Sequence, residues 1–144
     1  MPTPARVSPG SVLAVALGGA LGTVARYELG LAWPVAPGTF PTTTLAINLA
    51  GSLVLGVLLT LLAAQTASAH RVRAFGAVGF CGGFTTFSTW MVESVLLARD
   101  GDAALGLVYT VVSLIAGLVA VALGVVLARA FVHRDPAFDP RVED

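Results

Sequence analysis

Gly79-Phe80-Cys81-Gly82-Gly83-Phe84-Thr85-Thr86-Phe87-Ser88-Thr89-Trp90 is the stretch that decides the fold of this chain. It lies in an uncharged run from Ala74 to Val92 that is long enough to cross a bilayer. Its middle is a poor helix, because tandem glycines are permissive and the Thr and Ser hydroxyls compete for backbone hydrogen bonds. The stretch therefore predicts a transmembrane helix broken at mid-membrane, at the centre of an ion pathway. A polar but continuous helix is the alternative.

The composition is typical of a membrane protein. Of the 144 residues, 56% are hydrophobic and 11% are charged, against about 25% charged in a soluble domain. Arginines balance the acidic residues, and the net charge of zero argues against nucleic acid as a partner. The single cysteine, Cys81, excludes an intrachain disulfide. Because the sequence contains no Ser/His/Asp grouping, paired carboxylates or phosphate-binding glycine motif, we expect no enzymatic activity.

Other uncharged runs predict three further spans. No charged residue falls between Glu28 and Arg71 or between Asp102 and Arg129. Since a span needs about 20 apolar residues, we predict helices at about 11–32, 43–65, 74–98 and 104–130, within one transmembrane domain that covers residues 1–144. The polar segment 65–73 is predicted to be a loop. The expected fold class is an all-α membrane protein with four transmembrane helices, the third of them broken.

Small and polar residues recur every four positions in the first, second and fourth helices. The stripes are Gly18, Gly22 and Arg26, then Asn48, Ser52 and Gly56, then Tyr109, Ser113 and Gly117. A lipid-facing helix needs no such stripe, so we expect each one to face protein or water, and the glycines to allow close helix packing. Arg26 either snorkels to the interface or lies in the mouth of a pathway. Asn48 either joins two helices or donates into a polar pathway.

An aromatic stripe follows the expected break. Phe84, Phe87 and Trp90 recur at steps of three, and Glu93 continues the same face. Such a stripe usually packs in a core, but its place beside the hydroxyls also suits the lining of a pore. Glu93 is either a functional group inside the membrane or the interfacial partner of an arginine.

The polar groups of these helices are mainly hydrogen-bond donors. Half-helix N-termini carry partial positive charge, and aromatic ring edges are electropositive. This set suits a small hard anion, which must replace its hydration with short hydrogen bonds. The carbonyl groups freed at a break suit a small hard cation such as Na⁺ instead.

Gly82-Gly83-Phe84-Thr85-Thr86-Phe87-Ser88-Thr89, with Glu93 following, resembles the broken third helix of the Fluc (CrcB-type) fluoride channels. The segment 19–27 looks like their first-helix motif, and Asn48-Leu-Ala-Gly51-Ser52 looks like their second. The resemblance covers all four helices in order. It implies a fluoride-specific channel that lowers cytoplasmic fluoride by passive efflux across the cell membrane. It also implies an antiparallel, dual-topology dimer with two fluoride pores.

The resemblance further implies which residues form the sites. A structural Na⁺, which is not transported, would be bound at the dimer centre by the main-chain carbonyls of Gly82 and Thr85. The implied fluoride pathway consists of Asn48, Phe87, Trp90, Tyr109 and Ser113, with Thr44 and Arg26 nearer the vestibules and Thr86, Ser88 and Glu93 in support. The family usually has a second pore Phe where this chain has Trp90, an indole that is larger and adds an N–H donor.

Two other classes of protein are open at this point. A small four-helix, dual-topology coupled exporter of cationic compounds is the alternative, but it needs a membrane-embedded carboxylate in the first helix, and Glu28 lies too near the end of that helix, beside Arg26. A non-transporting scaffold would need neither Asn48 nor a broken helix.

Arginines are distributed unequally between the two sides of the predicted helices. Six lie on the side of the termini, against Arg26 and Arg99 on the other; the six are Arg6, Arg71, Arg73, Arg129, Arg134 and Arg141. This bias favours cytoplasmic termini, whereas a dual-topology homodimer should show little bias. We expect either a homodimer, because one chain carries every motif for both pores, or a heterodimer with an oppositely oriented paralogue.

Overall fold

The computed structural model describes residues 8–63 and 67–132, and every regular element within them is a helix. In chain order these are α1 (Pro9–Ala32), α2 (Thr42–Leu61), α3 (Ala67–Arg73), a π-helix (Ala74–Phe80), α4 (Cys81–Phe84), α5 (Phe87–Arg99) and α6 (Ala103–Val132). Three of them, α1, α2 and α6, are long and apolar enough to cross a membrane. The predicted third span consists of two pieces, which are residues 67–84, here called the leading half-helix, and α5.

The leading half-helix begins earlier than the sequence indicated. The prediction of a polar loop through Arg73 was wrong, because helical structure starts at Ala67. His70, Arg71 and Arg73 are all exposed in the first two turns of this half-helix. Charged residues therefore mark the end of the apolar sequence but not the end of the helix. The predicted end of the second helix at 65 and the tail arginines Arg6, Arg134 and Arg141 lie outside the described residues.

The third helix is interrupted at Thr85 and Thr86, two residues after the tandem glycines. Both threonines are extended, with φ/ψ of −80/158° and −144/122°. Gly82 and Gly83 lie inside α4 instead, and neither has a positive φ. The idea that glycine flexibility makes the break was therefore wrong. The hydroxyls make it, because Thr86 Oγ1 accepts from the Thr89 N–H at 3.2 Å and caps α5.

The glycines serve close packing between α1 and the leading half-helix. A Cβ at Gly18 would collide with the carbonyl oxygen of Phe75, and one at Gly22 with that of Phe80. In the other direction, a Cβ at Gly83 would collide with the carbonyl oxygen of Gly19. The expectation that this glycine pair allows close helix approach is confirmed.

The same kind of contact joins α2 to α6. A Cβ at Gly56 would collide with the carbonyl oxygen of Val121, and one at Gly124 with that of Leu53. The predicted polar stripe of α6 turns inward with them, since Tyr109 is 0% exposed and Ser113 is 9% exposed. Close backbone contacts therefore join two pairs of helices, α1 with the leading half-helix and α2 with α6.

We predict that Gly22→Ala destabilises the fold by about 1–3 kcal/mol, because the added methyl group meets backbone that cannot rotate away. Gly30→Ala is the matched control in the same helix, since a Cβ there meets nothing within 4 Å. The control substitution should leave the stability unchanged or raise it by up to about 1 kcal/mol, because Ala has a higher helix propensity than Gly. Thermal unfolding of the purified variants in detergent measures both. Equal melting temperatures for the two variants would contradict the close contact between Gly22 and the Phe80 carbonyl.

Candidate functional site

Asn48 of α2 pairs with the backbone of Thr86 at the break. The Asn48 amide nitrogen donates to the Thr86 carbonyl at 3.0 Å, and the Thr86 N–H donates to Asn48 Oδ1 at 2.8 Å. In a continuous helix the Thr86 N–H would bond to the carbonyl of Gly82. Asn48 therefore joins two helices, as one of its two interpretations held, and its second amide N–H is left for another acceptor.

This pairing leaves two carbonyl groups of the break without their helical partners. The Thr86 N–H bonds to Asn48, and the Thr89 N–H bonds to the Thr86 hydroxyl. Within residues 8–63 and 67–132, no hydrogen bond reaches the carbonyl oxygen of Gly82 or of Thr85. Gly82 is exposed on the surface of the single chain, and a Cβ there would meet nothing within 4 Å.

Of the two carbonyls between them, that of Gly83 is engaged by side chains of α1. Arg26 Nε donates to the Gly83 carbonyl oxygen at 3.2 Å, and Thr23 Oγ1 approaches the same oxygen at 3.4 Å. Arg26 is half-buried and its guanidinium points back at the break. A cation at the end of a half-helix offsets the negative end of its dipole. The sequence did not predict a role for Thr23, because no motif or periodic pattern includes it.

Glu93 of α5 is the acceptor at the centre of a second group. Thr44 Oγ1 donates to Glu93 Oε1 at 2.7 Å, and the Tyr109 hydroxyl donates to Glu93 Oε2 at 2.7 Å. Thr44 is 8% exposed and Tyr109 is fully buried, with the Phe40 ring packed against it edge to face at 5.2 Å. The partners found for Glu93 are hydroxyl groups, so its interpretation as the partner of an arginine does not hold among the described residues. With Glu93 ionised, both hydroxyl protons point at its carboxylate.

A cavity of about 290 Å³ lies between α2, the break, α5 and α6. Its polar and aromatic lining consists of Asn48, Ser52, Thr85, Thr86, Phe87, Trp90 and Ser113. It thus brings together four of the predicted pathway residues, Asn48, Phe87, Trp90 and Ser113. Three leucines, Gly117 and Val121 complete the lining, which contains no charged residue.

The remaining predicted pathway residues lie elsewhere. Glu93 lines a separate cavity of about 150 Å³ under the loop that connects α1 to α2, together with Asp100. Thr44 and Tyr109 are bonded to that carboxylate, and Arg26 lies at the end of the leading half-helix. Ser88 is exposed, and its hydroxyl is 3.4 Å from that of Thr86.

A metal site of the usual side-chain type is not found in the described part of the chain. It contains no group of three or more His, Cys, Asp or Glu residues that could hold an ion. A cation site here would therefore depend on main-chain carbonyls, and no hydrogen bond within the described residues reaches those of Gly82 and Thr85.

Comparison with known proteins gives a family match and close relatives. A family model described as "CrcB-like protein, Camphor Resistance (CrcB)" matches residues 13–125. The chain is 46% identical over 129 residues to "Fluoride-specific ion channel FluC 3" of Streptomyces avermitilis, covering 90% of this chain and 63% of that protein. It is 46% identical over 122 residues to "Fluoride-specific ion channel FluC" of Chlorobium luteolum, covering 84% and 94%. A Nocardia farcinica relative, "Fluoride-specific ion channel FluC 2", is 39% identical over 132 residues, with 90% and 94% covered.

We predict that Asn48→Leu destabilises the protein by about 2–4 kcal/mol, because it leaves both backbone groups of Thr86 buried without a partner. Ser52→Ala, one turn further along the same face of α2, is the matched control and should change stability little. Thermal unfolding gives the stability, and amide hydrogen exchange gives the local effect, since the Thr86 amide should exchange faster in Asn48→Leu alone. Unchanged protection of that amide would contradict the pairing.

Proposed function

This chain belongs to the CrcB-like family, and on that premise we propose that it is a fluoride-specific ion channel that lets fluoride leave the cytoplasm passively. It is a multi-pass membrane protein and not an enzyme. The relatives named as fluoride channels support the substrate, because they are 39–46% identical to it over most of the chain. The plasma membrane is the proposed location, since only there does passive efflux lower cytoplasmic fluoride.

The observation that carries the proposal is the uncharged cavity beside the break. It contains hydrogen-bond donors but no positively charged side chain. The donors are the second amide N–H of Asn48, the indole N–H of Trp90 and the hydroxyl of Ser113. A small, strongly hydrated anion can exchange water for such short hydrogen bonds, whereas a fixed cation would trap it. Asn48, Phe87, Trp90 and Ser113 are the proposed fluoride-contacting residues.

A structural Na⁺ at the break is a second part of the proposal. The Gly82 and Thr85 carbonyls have no hydrogen bonds within the described residues, and hard oxygen ligands of this type suit Na⁺. One chain offers two of them, one from the exposed Gly82 and one from the half-buried Thr85. A second chain related by a twofold axis would offer two more, because such an axis brings the same patch of both chains together.

An antiparallel dimer is the third part of the proposal. The partner is a second copy of this chain in opposite orientation, because one chain carries both the break and the donor-lined cavity. A heterodimer with an oppositely oriented paralogue is the other arrangement, and the arginine bias of the sequence favours it. Glu28, the carboxylate that a coupled cation exporter would need, is exposed near the end of α1 and gives that alternative no support.

We expect purified protein in liposomes to release fluoride, and not chloride, under a potassium gradient clamped with valinomycin. Phe87→Ile should slow fluoride release, since it removes an electropositive ring edge from the cavity. Phe75→Ile is the control, because Phe75 lies on the leading half-helix away from that cavity. A fluoride electrode and a chloride electrode follow the two ions. Equal rates for both would contradict the selectivity, and no release of either would favour a scaffold.

The sodium proposal predicts that Na⁺ raises the melting temperature of the protein relative to N-methylglucamine, because an ion bound only to the native state stabilises it. Thr85→Ser should keep this effect, since it retains the carbonyl and the hydroxyl that donates to Cys81 at 2.8 Å. Gly82→Val should lose it: the valine fits the single chain, but its side chain enters the space where a second chain would approach. A wild-type melting temperature that does not respond to Na⁺ would count against the site.

A further inference from the structure

A groove of about 400 Å³ lies between the start of α1 and the start of the leading half-helix. The two helices run in the same direction, since the Phe75 carbonyl meets Gly18 and the Phe80 carbonyl meets Gly22. The groove opens at the end where the helices have not yet come together. None of the residues that line it belongs to the cavity beside the break.

The size of the side chains on α1 makes this groove. Gly10, Leu13, Ala14 and Leu17 line it at steps of three and four, so they share one face of the helix, which is about 10 Å long over seven residues. Gly10 and Ala14 are small and leave space, whereas Leu13 and Leu17 project beside them and are 60% and 53% exposed. Phe75 lines the groove from the half-helix. The result is a narrow apolar slot about two helical turns long.

Arg71 is the charged residue among the described residues that line the groove. It is exposed and lies one turn before Phe75, towards the open end, and His70 and Arg73 are exposed on the same two turns. The acidic side chains of the described residues all lie towards the other end of the structure, beyond the break; they are Glu28, Glu93, Asp100 and Asp102. The groove therefore combines an apolar slot with an uncompensated positive charge at its mouth.

We propose that this groove binds an anionic phospholipid, with the headgroup phosphate on the Arg71 guanidinium and an acyl chain along Leu13, Leu17 and Phe75. A guanidinium matches a phosphate group with two parallel hydrogen bonds. Basic residues at the end of a membrane span attract anionic headgroups, so the charge and the slot favour the same ligand. This inference goes beyond the fluoride pathway and does not depend on what the protein conducts.

The surface around the groove supports a lipid as its occupant. Leu13 and Leu17 begin a stripe that continues through Leu21 and Val24, and all four side chains are more than half exposed. An acyl chain that leaves the groove therefore stays on apolar surface. A free phosphate would pair with the arginine but leave the slot empty. A second copy of this chain is the other occupant, although the proposed dimer contact at Gly82 lies about three turns beyond Arg71.

Native mass spectrometry of delipidated protein in detergent tests the headgroup, with phosphatidylglycerol or phosphatidylcholine added at equal concentration. We expect phosphatidylglycerol to bind about tenfold more tightly, as for one hydrogen bond to a charged group. Arg71→Gln should remove this preference. Arg73→Gln is the matched control and should keep it, because Arg73 is also exposed but does not line the groove.

Three results of this experiment would overturn the proposal. The first is a wild-type protein that does not distinguish the two lipids. The second is an equal loss of preference in both arginine variants, which would show a diffuse attraction to the basic end. The third is displacement of phosphatidylglycerol by inorganic phosphate at equal concentration, which would show that the acyl chain adds nothing.

Filling the slot tests the acyl chain. Ala14→Trp should abolish the tight binding of phosphatidylglycerol, because the ring occupies the groove, whereas Val12→Trp places the same ring on exposed surface outside the groove and should bind as the wild type does. Thermal unfolding shows whether both variants are folded, and the arginine pair decides the question if Ala14→Trp is not. Unchanged binding by folded Ala14→Trp would overturn the proposal. A loss of dimer mass in that variant alone would assign the groove to a contact between copies and overturn it as well.

Discussion

The pairing between the Asn48 amide and the backbone of Thr86 is the interaction on which the broken helix depends. A break inside a bilayer frees N–H and C=O groups that lipid cannot bond, so its position is set by whatever protein group can bond them. Asn48 satisfies both groups of Thr86 at 2.8 and 3.0 Å. It thereby leaves the carbonyls of Gly82 and Thr85 without hydrogen bonds among the described residues. One side chain thus gives the break two chemically different faces.

Glycine contacts hold the helices at fixed distances around that pairing. The carbonyls of Phe75 and Phe80 both meet glycines of α1, although they are five residues apart and the glycines are four apart. The π-helix from Ala74 to Phe80 accounts for this, because its i→i+5 bonding brings residues five apart towards one face. On the other side, a Cβ at Gly106 would collide with the Ser94 carbonyl. The absence of a side chain at Gly106 therefore lets α5 pack close to α6. The break is therefore a short extended segment between closely packed helices.

Sequence reasoning found the parts of this structure that are local and periodic. Apolar runs marked the spans, and the four-residue stripe of α6 marked its buried face at Tyr109 and Ser113. The stripe of α2 was less accurate, because Asn48 and Ser52 are half-buried and only Gly56 is buried. Sequence reasoning misjudged Gly83, because conformational freedom and close approach both require glycine, and only the Gly19 carbonyl against Gly83 shows that close approach is the reason. A Cβ at Gly82 would meet nothing within 4 Å. The same reasoning also missed the bond from Arg26 to the Gly83 carbonyl and the grouping of Thr44 and Tyr109 on Glu93. Those partners are 57, 49 and 16 residues apart along the chain, and no short-range pattern connects them.

The direction of the hydroxyl bonds on Glu93 separates the polar residues of the proposed pathway into two kinds. Thr44 and Tyr109 have their protons committed to the carboxylate, so they present oxygen lone pairs to an approaching ion. A carboxylate at low dielectric also repels an anion. Asn48, Trp90 and Ser113 keep donors free in the neighbouring uncharged cavity. On the proposed pathway an anion would therefore be stabilised beside the break and opposed at Glu93, and it would pass Glu93 only if those hydroxyl protons were released from the carboxylate.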